Sequence, residues 1–156
     1  GMNGTNFRVN VDTGEVARDG ELNYAQGNPG AENRPRITAG AYTNSVAPPA
    51  GAPAAGQPGA ASSSAAPAPT TALYTIDTLL GSFNLQAPPN DGVQQSRGMV
   101  GMSLPPGVAF DILSDGAGGN RGFVLAAGTL HGIDLTNGRL TPTGAVTGLP
   151  AAEVID

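Results

Sequence analysis

One short pattern occurs three times in this chain and limits its fold more than any bulk property. The copies are Phe7-Arg8-Val9-Asn10-Val11-Asp12-Thr13-Gly14-Glu15-Val16, Tyr74-Thr75-Ile76-Asp77-Thr78-Leu79-Leu80-Gly81-Ser82-Phe83 and His131-Gly132-Ile133-Asp134-Leu135-Thr136-Asn137-Gly138-Arg139-Leu140. They align without gaps. Each has an aromatic ring, a β-branched residue two places on, then Asn or Asp, a glycine four places later and an apolar residue two after that. Ring and β-branched residue are two apart, so they share one face of a strand. The Asn or Asp side chain opens a turn by bonding the backbone two residues on. The glycine takes a positive φ at the turn exit without steric cost, and the last apolar residue starts the return strand. Three such hairpins in register predict an all-β repeat architecture.

The turn-opening positions 10, 77 and 134 are 67 and 57 residues apart. The first interval holds a stretch from Ala47 to Thr71 dominated by Ala, Pro, Ser and Gly. It buries too little apolar area to offset the entropy of ordering it and reads as a flexible insert within one domain spanning 1–156. Without it the interval shrinks to about 40 residues, near the size of a four-stranded propeller blade. The last interval reads as such a blade. Its strands are Gly107 to Ile112, Gly122 to Ala126, Leu130 to Leu135 and Arg139 to Val146, with a Gly- and Asp-rich loop from Ser114 to Asn120. In the preceding unit, Ile37 to Thr43, Leu73 to Asp77 and Ser82 to Gln86 read as strands two, three and four. This phase makes residues 6–16 the last two strands of a blade that begins upstream. The fold expected is thus a propeller-like array of antiparallel blades, about two and a half of them, against the four to eight of a closed propeller. Open strand edges invite pairing, so completion by a second copy is one expectation.

Composition removes several function classes. The chain carries 24 Gly and 14 Pro, which suits many turns and disfavours a helical bundle. It has seven Arg and no Lys against twelve acids, for a net charge of −5. With no basic cluster, nucleic acid is not an expected partner. The lack of Lys excludes a P-loop. The lack of Cys removes disulfides, thiolate metal sites and thiol nucleophiles together. No apolar run reaches the roughly 20 residues of a membrane-spanning helix.

Asn6 to Gly14, followed by Asp19-Gly20-Glu21-Leu22-Asn23-Tyr24, resembles a bacterial family known only as domain-of-unknown-function family 4394. Ala41-Tyr42-Thr43-Asn44-Ser45, Leu73 to Asp77 and Pro88-Pro89-Asn90-Asp91-Gly92 are similar to that family in the same order. The resemblance extends over most of the chain outside the Ala/Pro insert. It implies propeller-like blades, export to the periplasm or the extracellular space, and no assigned activity. It brings no catalytic residues.

Individual residues give little chemistry. His131 is the single histidine, and it occupies the ring position of the repeated hairpin, so packing explains it. Asn10, Asp77 and Asp134 recur where a turn begins, and turn chemistry explains them without a metal. Asp115 to Asn120 lacks the acidic spacing of a calcium loop. No G-x-S-x-G or G-x-G-x-x-G motif is present. No catalytic residue, metal ligand or cofactor is therefore assigned. The polar set that remains is Arg8, Asn23, Tyr24, Tyr42, Asn44, Asn90 and Asp91. Aromatic and amide side chains near loops suit recognition of a peptide or sugar; the alternative is that the amides cap turns and the tyrosines pack between sheets. Three functions stay open. The first is a non-enzymatic module binding a protein or small ligand. The second is a metal-dependent hydrolase or lyase in a propeller channel, since fold alone does not decide chemistry. The third is a structural module that self-assembles through open edges.

Overall fold

The computed structural model describes residues 3–46 and 70–148, so most of the Ala47 to Thr71 insert lies outside the described residues. Eleven strands follow one another among the described residues: β1 (Phe7–Val9), β2 (Val16–Arg18), β3 (Asn23–Tyr24), β4 (Ile37–Tyr42), β5 (Leu73–Asp77), β6 (Ser82–Gln86), β7 (Val93–Met99), β8 (Ala109–Ser114), β9 (Asn120–Ala126), β10 (Thr129–Ile133) and β11 (Leu140–Ala145). A short 3₁₀ turn, Pro89–Asp91, joins β6 to β7. The chain is all-β, and every pairing is antiparallel except β3 with β7.

The strands form three sheets. β1 and β2 make an isolated ribbon, with Phe7 opposite Arg18 and Val9 opposite Val16. A five-stranded sheet runs β3-β7-β6-β5-β4, and a four-stranded sheet runs β11-β10-β9-β8. The second is the up-and-down meander expected from the last interval. Its β8–β9 hairpin closes through Ser114 opposite Asn120, and its β10–β11 hairpin closes through the third copy of the turn.

The phase expected for the middle unit needs correcting. Ile37–Tyr42 is the first strand of a four-stranded meander, not the second, because β7 follows β6 and pairs with it antiparallel. Its sequence, Val-Gln-Gln-Ser-Arg-Gly-Met, has no apolar alternation. Its buried residue Gln94 is held by amide and hydroxyl partners instead, accepting from Thr75 Oγ1 at 2.6 Å and donating to Gln86 Oε1 at 2.8 Å.

The three repeated turns share one geometry. Asn10 Oδ1 accepts from the amides of Asp12 and Thr13, Asp77 Oδ1 from Leu79 and Leu80, and Asp134 Oδ1 from Thr136. Gly14, Gly81 and Gly138 follow at φ of 73°, 66° and 79°. Only glycine adopts that region without strain. The ring positions diverge: Phe7 is 56% exposed, Tyr74 stacks on Phe83 at 5.1 Å, and His131 is buried with Nδ1 3.0 Å from the Thr129 carbonyl.

The core lies between the two larger sheets. Ala39, Ala41, Ile76 and Phe83 face Phe110, Ile112, Val124, Ala126 and Ile133. The small side chains of β4 let it run close to β8. Phe83 meets Phe110 edge-on at 6.0 Å, a favoured aromatic arrangement. The Asp134–Gly138 turn seats directly on Phe83, where a side chain on Gly138 would collide.

Candidate functional site

The five-stranded sheet has two unlike faces. Strand alternation sends Ile76 and Phe83 toward the neighbouring sheet. It sends Thr75, Asp77, Ser82, Asn84, Gln86 and Gln94 to the other side, and all six are buried. Pro35, also fully buried, and Leu22 and Tyr24 lie in the chain segment preceding β4. That segment is tied to this face: the Arg36 amide bonds Asp77, and the Ala25 amide and Asn28 side chain both donate to the Gln94 carbonyl.

Asp77 anchors this polar layer. Its carboxylate accepts from the Tyr24 hydroxyl at 2.8 Å, the Arg36 amide at 2.7 Å, and the amides of Leu79 and Leu80 at 2.8 and 3.0 Å. Tyr24 Oη also lies 3.0 Å from Ser82 Oγ. Burial pushes the Tyr24 hydroxyl well above the usual phenol range, and the Asp77 charge adds to the effect. Tyr24 is therefore a packed structural residue and not part of an exposed recognition surface. Beside it, Asn84 Oδ1 is buried without a hydrogen-bond partner.

Three of the seven residues singled out from sequence come together. Arg8, Tyr42 and Asn90 line a cleft of about 310 Å³ with Asp19, Leu73, Leu85, Gln86, Ala87 and Pro89. Its walls come from separate parts of the chain: the β1–β2 ribbon, the end of β4, the start of β5, and the end of β6 with the turn that follows. The ribbon reaches the site because Asn6 Nδ2 donates to the Pro89 carbonyl at 3.2 Å, and the Gly20 amide bonds Asn90 O at 2.8 Å. Arg8 Nε donates to both oxygens of Asp19, at 3.0 and 2.8 Å. The Asp19 side chain is only 6% exposed, while that of Arg8 is 59% exposed. Gln86 is committed elsewhere, donating to the Pro89 carbonyl and accepting from Gln94.

The other candidates lie apart. Asn23 uses its amide to bond the Glu21 carbonyl. Asn44 sits at φ 51° and exchanges hydrogen bonds with Asn120: the Asn44 amide donates to Asn120 Oδ1, and Asn120 Nδ2 donates to Asn44 Oδ1, both at 2.9 Å. That pair joins the end of β4 to the β8–β9 turn. Asp91 is an exposed member of the 3₁₀ turn. Sequence reasoning missed Asp19 and the aliphatic lining supplied by Leu73 and Leu85. Asp19 stood only in the family-like run Asp19 to Tyr24, and two leucines on separate strands carry no signal that both border one cleft.

Among the described residues no three His, Asp or Glu side chains converge in a way that would hold a metal ion. The oxygens of Asp77, Asp115 and Asp134 are instead bonded to nearby amides and hydroxyls. Among the described residues no helix is long and apolar enough to cross a membrane.

Sheet order and repeated turns define a mainly antiparallel all-β protein assembled from hairpin meanders. The chain belongs to the family described as domain of unknown function (DUF4394), whose profile matches residues 1–155. Comparison with curated proteins and with solved structures gave no match.

Proposed function

We propose that this protein is a non-enzymatic, propeller-type binding module of an exported bacterial protein, and that its ligand sits in the cleft bordered by Arg8, Tyr42 and Asn90. The observation that carries this reading is the cleft's composition. An aliphatic lining meets an arginine, a tyrosine and an amide, and this combination of apolar area with a few convergent polar groups is typical of ligand sites. Tyr42 is 53% exposed although it ends a core strand. Its ring is available to a ligand at little ordering cost. Among the described residues the cleft holds no histidine, and its one carboxylate is engaged by Arg8. The test is a screen of small neutral amides and alcohols followed by amide NMR. Binding should shift the signals of Tyr42, Leu73, Leu85 and Asn90 together, and Tyr42→Ala should weaken it. Hits that map elsewhere, or that ignore Tyr42→Ala, would refute the assignment.

A second reading, self-assembly, rests on a different observation. The outer face of the four-stranded sheet exposes Leu113 and leaves Phe123, Leu125 and Leu130 half-buried around a shallow hollow of about 170 Å³. The ribbon likewise exposes Phe7, Val9 and Val16. Contiguous exposed apolar area marks interaction surfaces. Sedimentation at rising concentration decides: a monomer throughout excludes this reading, and association abolished by Leu125→Arg supports it.

A further inference from the structure

The cleft's polar groups are not equivalent, and the difference specifies a ligand class. Arg8 is oriented by Asp19, which takes only the Nε side of the guanidinium. Among the described residues the terminal nitrogens of Arg8 have no partner, nor do the side chains of Tyr42 and Asn90. A guanidinium held through Nε presents its two terminal nitrogens as a flat fork, the geometry that matches a carboxylate with two parallel bonds. Asp19 is shielded at 6% exposure, so it positions Arg8 and does not itself compete for solvent or ligand. The rest of the lining is mainly aliphatic: Ala72, Leu73, Leu85, Ala87 and Pro89. A sugar, with hydroxyls on every edge, would leave many of them unpaired against that lining.

Resting on the cleft reading above, we propose that the ligand is a small carboxylate with an apolar body, the carboxylate forked by the Arg8 terminal nitrogens and the body against the aliphatic lining of Ala72, Leu73, Ala87 and Pro89. Tyr42 and Asn90 add hydrogen bonds from the rim. The Arg8–Asp19 pair is electrically balanced, so selection acts at contact distance and long-range attraction is weak. Affinity is therefore expected to depend little on salt. The same chemistry is offered by a free short-chain acid and by the C-terminus of an apolar peptide.

The experiment is a titration of the full chain followed by amide NMR, with four probes: 4-methylpentanoate, its primary amide, N-acetyl-Leu-Leu with a free C-terminus, and the same dipeptide amidated. At least one acid should shift Tyr42, Leu73 and Leu85 saturably, and its amide should bind about tenfold more weakly, the loss expected for a charge-assisted fork. Arg8→Lys keeps the charge but not the fork and should lose a similar factor. Asp19→Asn, which releases Arg8, should lose part of it. Arg121→Gln, remote on β9, should bind as wild type. Tighter binding of the dipeptide acid identifies a chain terminus as the source; tighter binding of 4-methylpentanoate identifies a free acid. Equal affinity for acid and amide, or an unaffected Arg8→Lys, overturns the carboxylate assignment and leaves the cleft reading intact. No cleft shift with any probe overturns the carboxylate assignment, and the neutral-fragment screen then judges the cleft separately.

Discussion

Asp77→Asn and Asp134→Asn alter the same position of the same turn, yet their consequences should differ sharply. In both variants the remaining Oδ1 can still accept the turn amides. At Asp134, which is exposed, nothing else is at stake beyond one side-chain bond from Asn137. At Asp77 the lost oxygen is the one that takes the Tyr24 hydroxyl at 2.8 Å and the Arg36 amide at 2.7 Å. An NH₂ group there faces the Arg36 N–H donor to donor, at a residue with no exposed surface. A buried donor left unpaired costs about 1–3 kcal/mol. Tyr24 can reverse its bond and donate to Ser82 alone, and relief of the carboxylate's desolvation offsets part of the penalty. The net cost is on the order of 2 kcal/mol, which lowers Tm by about 4–8 °C in a chain of this size. Thermal and urea unfolding followed by far-ultraviolet circular dichroism would measure it. Asp77→Asn should lower the urea midpoint at an unchanged m-value, whereas Asp134→Asn should lower it far less. Equal losses would refute the argument, because burial would then not distinguish the two sites. Tyr24→Phe is the companion variant. It removes one donor to Asp77 and leaves the other three, at a cost of about 1–2 kcal/mol.

Three further outcomes are expected. Gly138→Ala should destabilise well beyond Gly14→Ala: both glycines have positive φ, costing about 1–2 kcal/mol for alanine, but only at Gly138 would the new methyl strike Phe83; matched urea melts compare them. The Tyr24 hydroxyl is pushed up in the folded state, so its contribution is complete below about pH 10, the unfolded phenol value, and is lost as pH rises above it; alkaline unfolding should be steeper in wild type than in Tyr24→Phe. Asp134, through the Thr136 hydroxyl, and Asp115, through the Ala117 amide, are held below the usual carboxylate range. Their contribution is present above about pH 4 and fades as pH falls through the lowered folded values, so carboxyl ¹³C titration should give midpoints below the ordinary Asp value of about 3.9 for both.

The parts of the fold legible in the sequence are those whose signal is local. Asn10, Asp77 and Asp134 with their glycines four places on announce the turns through a side-chain bond and a positive φ, both decided within five residues. β8 to β11 follow from aliphatic runs separated by such turns. β7 was not legible because hydrophobic periodicity detects apolar burial, and Gln94 is buried by pairing with Thr75 and Gln86. The same blindness placed Tyr24 among surface candidates, when its hydroxyl reaches Asp77 from 53 residues away. Arg8, Tyr42 and Asn90 were singled out by residue type alone. Their meeting depends on the ribbon docking through Gly20 to Asn90, a contact between segments about 70 residues apart that no local pattern encodes.

The repeated hairpin therefore explains the architecture, while the chemistry lies where copies of it differ. One turn is exposed, one supports a buried polar layer, and one presses on Phe83. Those contexts are set by what each hairpin meets, not by the motif. The cleft lies at such a seam, where the ribbon, the strand ends and the turn around Asn90 come together. It uses none of the motif's defining ring, Asx or glycine positions: Arg8 lies between them in the first copy, Leu85 follows the second copy, and Tyr42 lies outside any copy. A substitution that preserves every turn can therefore change the ligand completely. Arg8 sits beside two exposed hydrophobic residues, Phe7 and Val9, on the opposite face of a ribbon whose own pairing is only three residues long. A ribbon so short depends on its docking for its position. Arg8→Gln should consequently loosen the ribbon through loss of the Asp19 contact as well as remove the fork. Arg8→Lys separates the two effects, since an ammonium can still reach Asp19 but cannot present a planar pair of donors. Hydrogen exchange at Val9 and Ala17 reads the ribbon, and the acid-against-amide ratio reads the fork. If both move together in Arg8→Lys, orientation by Asp19 is not what shapes the site.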